Sequence, residues 1–154
     1  MFELILYQPE IPPNTGNIIR LCANTGANLH VIRPLGFELD NKQLRRAGLD
    51  YHEFADIRAH DSLDDCLGLL GGGRVFAVST RGKADYSKVN YRLGDVFLLG
   101  PETRGLPQEV LDGLSPEQVL RIPMRPENRS LNLSNAAAVL LYEAWRQQGF
   151  EGGG

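Results

Sequence analysis

The chain has 154 residues, enough for one domain with a full hydrophobic core and too few for two of ordinary size. Hydrophobic residues make up 42% and charged residues 23%, a globular composition rather than a disordered one. Against 19 acidic residues, the 16 basic ones leave a net charge of -3, which excludes coating a polyanion by bulk charge but not gripping one through a local patch.

In chain order, strands are expected at Phe2–Tyr7, Leu29–Arg33, Glu53–Ile57, Arg74–Ser79, Val96–Leu99 and Val119–Ile122. Each is short, partly β-branched or aromatic, and bounded by Gly, Pro or Asn. Helices are expected at Thr15–Thr25, Lys42–Ala47, Ser62–Leu70, Pro107–Leu114 and Leu133–Gln148. The last is the clearest, with a polar start at Ser134 or Asn135, three consecutive alanines, Arg146 in the final turn and Gly149 as a stop. Strands alternating with helices imply an α/β fold, a mostly parallel sheet with helices on both faces. Residues 1–150 form one domain in this reading, and 151–154 a flexible tail.

The N-terminal MFELILYQPE lacks a basic leader region, and no apolar run approaches the ~18 residues of a membrane span. Cys22 and Cys66 have no CxxC spacing, so a reducing cytoplasm is expected and a disulfide scaffold is not. Arg outnumbers Lys by 13 to 3, which favours bidentate phosphate or carboxylate contacts or simply reflects genomic bias. Basic groups cluster at Lys42, Arg45 and Arg46, and again at Arg74, Arg81, Lys83, Lys88 and Arg92; these are either solvated faces or phosphate contacts.

Several chemistries are excluded. There is no GxGxxG after the first strand, no GxxxxGK[ST] and no GxSxG. His30, His52 and His60 lack ligand spacing, no Cys–His cluster is expected, and so no metal is expected. Three unusual loops remain, each at the C-terminal end of an expected strand, the edge where open α/β sheets bind ligands. The first, Gln8–Arg20, is stiffened by Pro12 and Pro13; Asn14 or Thr15 can cap its helix, and Asn14, Asn17 and Arg20 are expected along one side of the helix start. The second, Leu98–Pro107, runs through Gly100 into a charged triplet in which Glu102 and Arg104 could pair, or one could face a ligand. The third, Arg121–Asn135, alternates Ser130, Asn132 and Ser134 with Leu131 and Leu133, an extended polar edge suited to a neutral flat group such as a purine.

In this order the loops resemble the three motifs of the SPOUT superfamily of RNA methyltransferases. PEIPPNTGNIIRLCANTG, LRRAGLDY, GPETRGLP, RIPM and SLNLSNAAAVLLYEAWRQ together resemble its minimal branch, which methylates the ribose 2'-hydroxyl of the tRNA wobble nucleotide. The resemblance covers about residues 2–149. It implies a deep C-terminal trefoil knot, S-adenosylmethionine as cofactor with S-adenosylhomocysteine as product, and no metal. It also implies a homodimer, with the anticodon stem-loop of tRNA, leucine tRNAs among them, as substrate. Carried across, cofactor contacts fall at Val78, Gly100, Ile122 and Ser130. Arg20 is the implied base or hydroxyl activator, supported by Asn14, Glu102, Ser130 and Asn132, with Glu102 orienting Arg20 or balancing the sulfonium. Tyr142 is either a dimer-interface aromatic or a contact to substrate or Arg20. A guanidinium normally keeps its proton, so phosphate binding and stabilisation of a developing oxyanion suit Arg20 better than base catalysis. Methylation of another tRNA or rRNA nucleotide, and a non-catalytic knotted RNA-binding module, stand as alternatives.

Overall fold

The computed structural model describes residues 1–54 and 56–154. Seven parallel strands run in the order β3-β2-β1-β6-β4-β7-β5: β1 Glu3–Tyr7, β2 Asn28–Ile32, β3 Arg58–His60, β4 Val75–Val78, β5 Ala84–Asp85, β6 Val96–Leu99 and β7 Val119–Arg121. Helices are α1 Pro12–Thr25, α2 Asn41–Arg46, α3 Tyr51–Phe54, α4 Leu63–Leu69, α5 Gln108–Asp112 and α6 Leu133–Gln147.

The period of two in each strand divides the core into two layers. Leu4, Leu6, Leu29, Val31, Phe97 and Leu99 pack with Ile18 and Ile19 of α1 and Leu140 of α6. Their neighbours Ile5, Ile32 and Leu98 face the other way, onto Cys66 of α4 and Leu111 of α5. Both faces are covered, which explains why β1 and β6 read as continuous apolar runs.

Strand β7 lies between β4 and β5, although those two are joined only by residues 79–83. β7, later in the chain, is thus inserted between two strands joined by this short link, which is the strand order of the deep trefoil knot. The link packs closely on β7: Ser79 N donates to Leu120 O at 3.1 Å, and a Cβ on Gly82 would lie 2.5 Å from the same oxygen. Only glycine fits there without moving backbone.

Four local expectations change. Helix α1 starts at Pro12, because proline is tolerated in a first turn whose N–H groups are unpaired anyway. Its N-cap is Ile11, not Asn14 or Thr15, and no local side chain caps it. The strand expected at Glu53–Ile57 is displaced: Tyr51–Phe54 is helical and β3 begins at Arg58. Glu53 accepts from Asp50 N at 2.9 Å and Phe54 is buried, which favours a turn over an extended run; Ala55 lies outside the described residues. Finally, Ser134 and Asn135 lie inside α6, so the extended segment stops at Asn132, the helix cap.

Candidate active site

Strands β6, β4 and β7 are neighbours, so their C-terminal ends sit side by side. A cleft of about 750 Å³ opens beyond them. Val78, Gly100, Ile122 and Ser130 line it, as do Asn14, Glu102 and Asn132. At Gly100 the loop folds back on its own strand: a Cβ would lie 2.5 Å from Leu106 N, and Gly105 completes the turn at φ 68°. Gln8, directly after β1, also holds a positive φ of 48°.

One polar network joins the three loops. Glu102 Oε1 accepts from Glu10 N at 2.9 Å, and Oε2 from Ile11 N at 2.6 Å. A distant carboxylate therefore serves the start of α1, which has no acid in its own first turn. In return, the Glu10 carboxylate accepts from Thr103 N and Oγ1 at 2.9 and 2.8 Å, which holds it below the usual carboxylate range. Asn14 Nδ2 donates to Glu102 Oε2 at 3.3 Å, and Asn132 Nδ2 donates to Asn14 Oδ1 at 2.9 Å. Asn132 Oδ1 accepts from Ser134 N at 2.9 Å and caps α6. These contacts orient both amides: the α6 N–H groups demand an oxygen from Asn132, which turns its NH2 toward Asn14.

Glu102 accordingly faces Asn14 and backbone. Within one chain it neither orients Arg20 nor pairs with Arg104, which instead lies 3.7 Å from Glu10. Arg20 is on another side of α1, because six residues advance a helix by about 600°, well away from alignment. Arg20 and exposed Asn17 line a second cavity of about 350 Å³, with Phe37 and Gln43 opposite. Arg20 Nε donates to Glu53 Oε2 at 2.9 Å and Nη2 donates to the Gly48 carbonyl. The Glu53 hydrogen bond, reinforced by its charge, raises the Arg20 pKa further above its usual range. Glu53 is lowered, chiefly by the Arg20 hydrogen bond and then by Asp50 N–H. Tyr142 lies on α6, 43% exposed and edge-on to Trp145 at 5.7 Å, and lines neither cavity.

A model of the "SpoU rRNA Methylase family" matches residues 1–142. The chain belongs to this family. A tRNA (cytidine(34)-2'-O)-methyltransferase of Methylovorus glucosotrophus is 62% identical over 152 residues, covering 99% of each chain. A structure titled for 2-OH methylation of C/U34 on tRNA superposes with a TM-score of 0.89 at 51% identity, over 98% of each chain. A SpoU methyltransferase of Streptomyces viridochromogenes in complex with AdoMet superposes with a TM-score of 0.81 at 25% identity, over 99% of this chain and 58% of that one.

In this SpoU family protein the basic clusters serve different ends. Arg74 is structural: its guanidinium clasps buried Asp95 at 2.7 and 2.9 Å, locking the starts of β4 and β6 at the end of the sheet away from the cleft. Arg81 ties the knot link to the second loop, donating to Gln108 Oε1 at 2.6 Å and to the Leu106 carbonyl. Lys42, Arg45 and Arg46 are exposed on α2, next to the Arg20 cavity. Sequence reasoning missed Glu10, Thr103 and Glu53. Glu53 directly follows the LRRAGLDY motif by two residues, but its assignment to a strand hid its role.

Proposed function

We propose that this protein transfers a methyl group from S-adenosylmethionine to the ribose 2'-hydroxyl of nucleotide 34, cytidine or uridine, in the tRNA anticodon loop, as a cytoplasmic homodimer. The observation that carries the reading is the joining of three strand-end loops through Glu102, Asn14 and Asn132 around one cleft. Full-length identity to enzymes with that name supports it.

The cleft suits the cofactor. Its volume of about 750 Å³ lies in the range of small-molecule sites. Its floor is strand-end backbone at Val78, Gly100 and Ile122, able to offer the directional neutral hydrogen bonds an adenine requires. Among the described residues lining it there is no His or Cys and one carboxylate-bearing side chain, Glu102, already engaged by two backbone N–H groups. Cofactor binding is therefore assigned without a metal. Bound there, S-adenosylmethionine supplies an electrophilic methyl on a sulfonium and leaves as S-adenosylhomocysteine.

The remaining work belongs to the chain. Arg20, held by Glu53, keeps its protons at Nε and Nη2 and acts by binding a phosphate and stabilising negative charge on the 2'-oxygen. Ser130, on the cleft wall, is assigned to cofactor or ribose, and Asn14 and Asn132 hold the loops in register. Since Arg20 faces away from its own cleft, a second copy of the chain supplies it in this reading. Exposed Leu131, Val139 and Tyr142, running along the start and outer side of α6, are the apolar surface assigned to that dimer. No described helix is long and apolar enough to cross a membrane.

Incubating purified protein with tRNA transcripts and labelled S-adenosylmethionine tests the reading. Ribose methylation confined to nucleotide 34, and abolished by a 2'-deoxy substitution there, is expected. Methylation elsewhere in tRNA or in rRNA, or cofactor binding without transfer, overturns it. Sedimentation that finds an active monomer at assay concentration refutes the shared site.

A further inference from the structure

On the sheet face covered by α4, four polar side chains are gathered where the neighbouring positions are apolar. His30 comes from β2, His60 from the end of β3, Cys66 from α4 and Glu3 from β1. His30, His60 and Cys66 are buried, and each places one ligand atom within 4.8 Å of the others'. His30 Nδ1 and His60 Nε2 are 3.0 Å apart. Sequence spacing showed no Cys–His cluster; parallel pairing of β2 with β3 creates one, because Ile32 is in register with His60 and His30 lies two residues earlier on the same face.

Two atoms here have no hydrogen-bond partner: His30 Nε2 and Glu3 Oε2. Glu3 Oε1 stands 3.6 Å from that same His30 Nε2, just beyond hydrogen-bond range. A buried polar atom left unpaired costs roughly 1–3 kcal/mol, and two around one imidazole call for a physical reason. If His30 gives its Nδ1 hydrogen to His60, its Nε2 presents a lone pair to a carboxylate; if His60 donates instead, His30 carries its hydrogen on Nε2 toward Glu3 Oε1, at 3.6 Å too far for a hydrogen bond. A cation on Nδ1 selects the second arrangement, holding the ring proton on Nε2 where it faces Glu3. A carboxylate behind a ligating histidine is a recurrent arrangement at zinc sites, fixing the tautomer and strengthening the ligand.

We propose that His30 Nδ1, His60 Nε2 and Cys66 Sγ form a buried binding site for a borderline-soft divalent cation of the zinc class, with Glu3 as the positioning residue behind His30. Zinc–nitrogen bonds of ~2.05 Å at tetrahedral angles separate two nitrogens by ~3.3 Å, so the imidazoles need part by only a few tenths of an ångström. Three protein donors leave one position for water. A dication, a thiolate and the Glu3 carboxylate sum to zero charge. Arg58, opposite His30 in register, is the nearest opposing charge, and it is exposed to screening water. Binding as thiolate releases the Cys66 proton to solvent. The site would tie β3, at three residues, and α4, at seven, to the sheet.

Cobalt(II), titrated into chelator-treated full-length protein, tests this. Expected are saturation at one equivalent, thiolate-to-cobalt charge transfer in the near ultraviolet, displacement by zinc, and a higher melting temperature with zinc. Cys66→Ala should abolish the charge transfer while Cys22→Ala preserves it. Glu3→Gln, which leaves every ligand in place, should preserve the band but weaken cobalt about 10- to 100-fold. The proposal fails if no one-equivalent saturation occurs, if the band survives Cys66→Ala, or if Glu3→Gln binds cobalt as the wild type does.

Discussion

Helix α1 separates two cavities of different character. On one side Asn14 faces a cleft floored by strand-end backbone and walled by amides, hydroxyls, the engaged carboxylate of Glu102 and the guanidinium groups of Arg81, Arg104, Arg121 and Arg129. On another, Arg20 faces a smaller cavity with Glu53 behind it and the cations of α2 beside it. The floor of the first offers neutral, directional backbone hydrogen bonds, as a nucleoside-like cofactor requires, with arginines only around it. The second presents a single guanidinium already aimed by a carboxylate, suited to a phosphate. One helix presents both because Asn14 and Arg20 are six residues apart, and so point in different directions. The contrast teaches that, in the proposed function, cofactor binding and ribose-phosphate chemistry are mounted on separate surfaces of one chain, which a second copy would bring together.

The sharpest way to break that contrast is Arg20→Ala. Single-turnover methylation of tRNA should fall about 10²- to 10³-fold, with cofactor affinity by calorimetry within a few-fold of wild type. Arg20→Lys should restore little, since a point charge cannot reproduce a planar fork clasped by Glu53. Equal losses in both measurements would merge the two cavities into one function.

A smaller effect, with the opposite pattern, is expected at Gly100. A Cβ there would press on Leu106 N at 2.5 Å, displacing the second loop. Cofactor affinity of Gly100→Ala should drop roughly ten-fold or more, from the usual cost of overpacking. Dimerisation should persist. Unchanged affinity would remove this strand end from the cofactor site.

The smallest effect should be at Glu53. Glu53→Gln keeps a hydrogen-bond acceptor for Arg20 but removes its charge, so turnover should fall about five-fold while cofactor affinity is unchanged. The pH dependence follows in sign. Glu53 is depressed in the folded protein, so its link to Arg20 is intact at neutral pH and lost only as pH falls through that lowered value. The acid limb of turnover attributable to this pair should therefore lie below the ordinary glutamate value of about 4.3. An acid limb near neutrality that disappears in Glu53→Gln would show that the carboxylate is not held by Arg20.

Much of the molecule was readable from local chemistry. The apolar runs of β1 and β6 are strands buried on both faces, and the alanine-rich α6 follows from propensity and a stop at Gly149. The three loops were legible as ligand-binding because Gly, Pro, Ser and Asn were concentrated at strand ends. Their residues Asn14, Gly100, Glu102, Ile122, Ser130 and Asn132 do line one cleft, together with Val78 of β4, which only the family resemblance pointed to. Tertiary structure alone decided the rest. The two-residue β5 has too little pattern to be seen, and it exists because the knot link lays it beside β7. Glu102 caps a helix more than 90 positions away, a relation that no local spacing encodes. Glu53 holds Arg20 because α3 and α1 pack together, and His30, His60 and Cys66 meet because β3 pairs with β2 beneath α4. Local propensity reports on neighbours within a few residues, whereas these contacts are set by strand register and chain crossing, which arise only when the whole sheet forms.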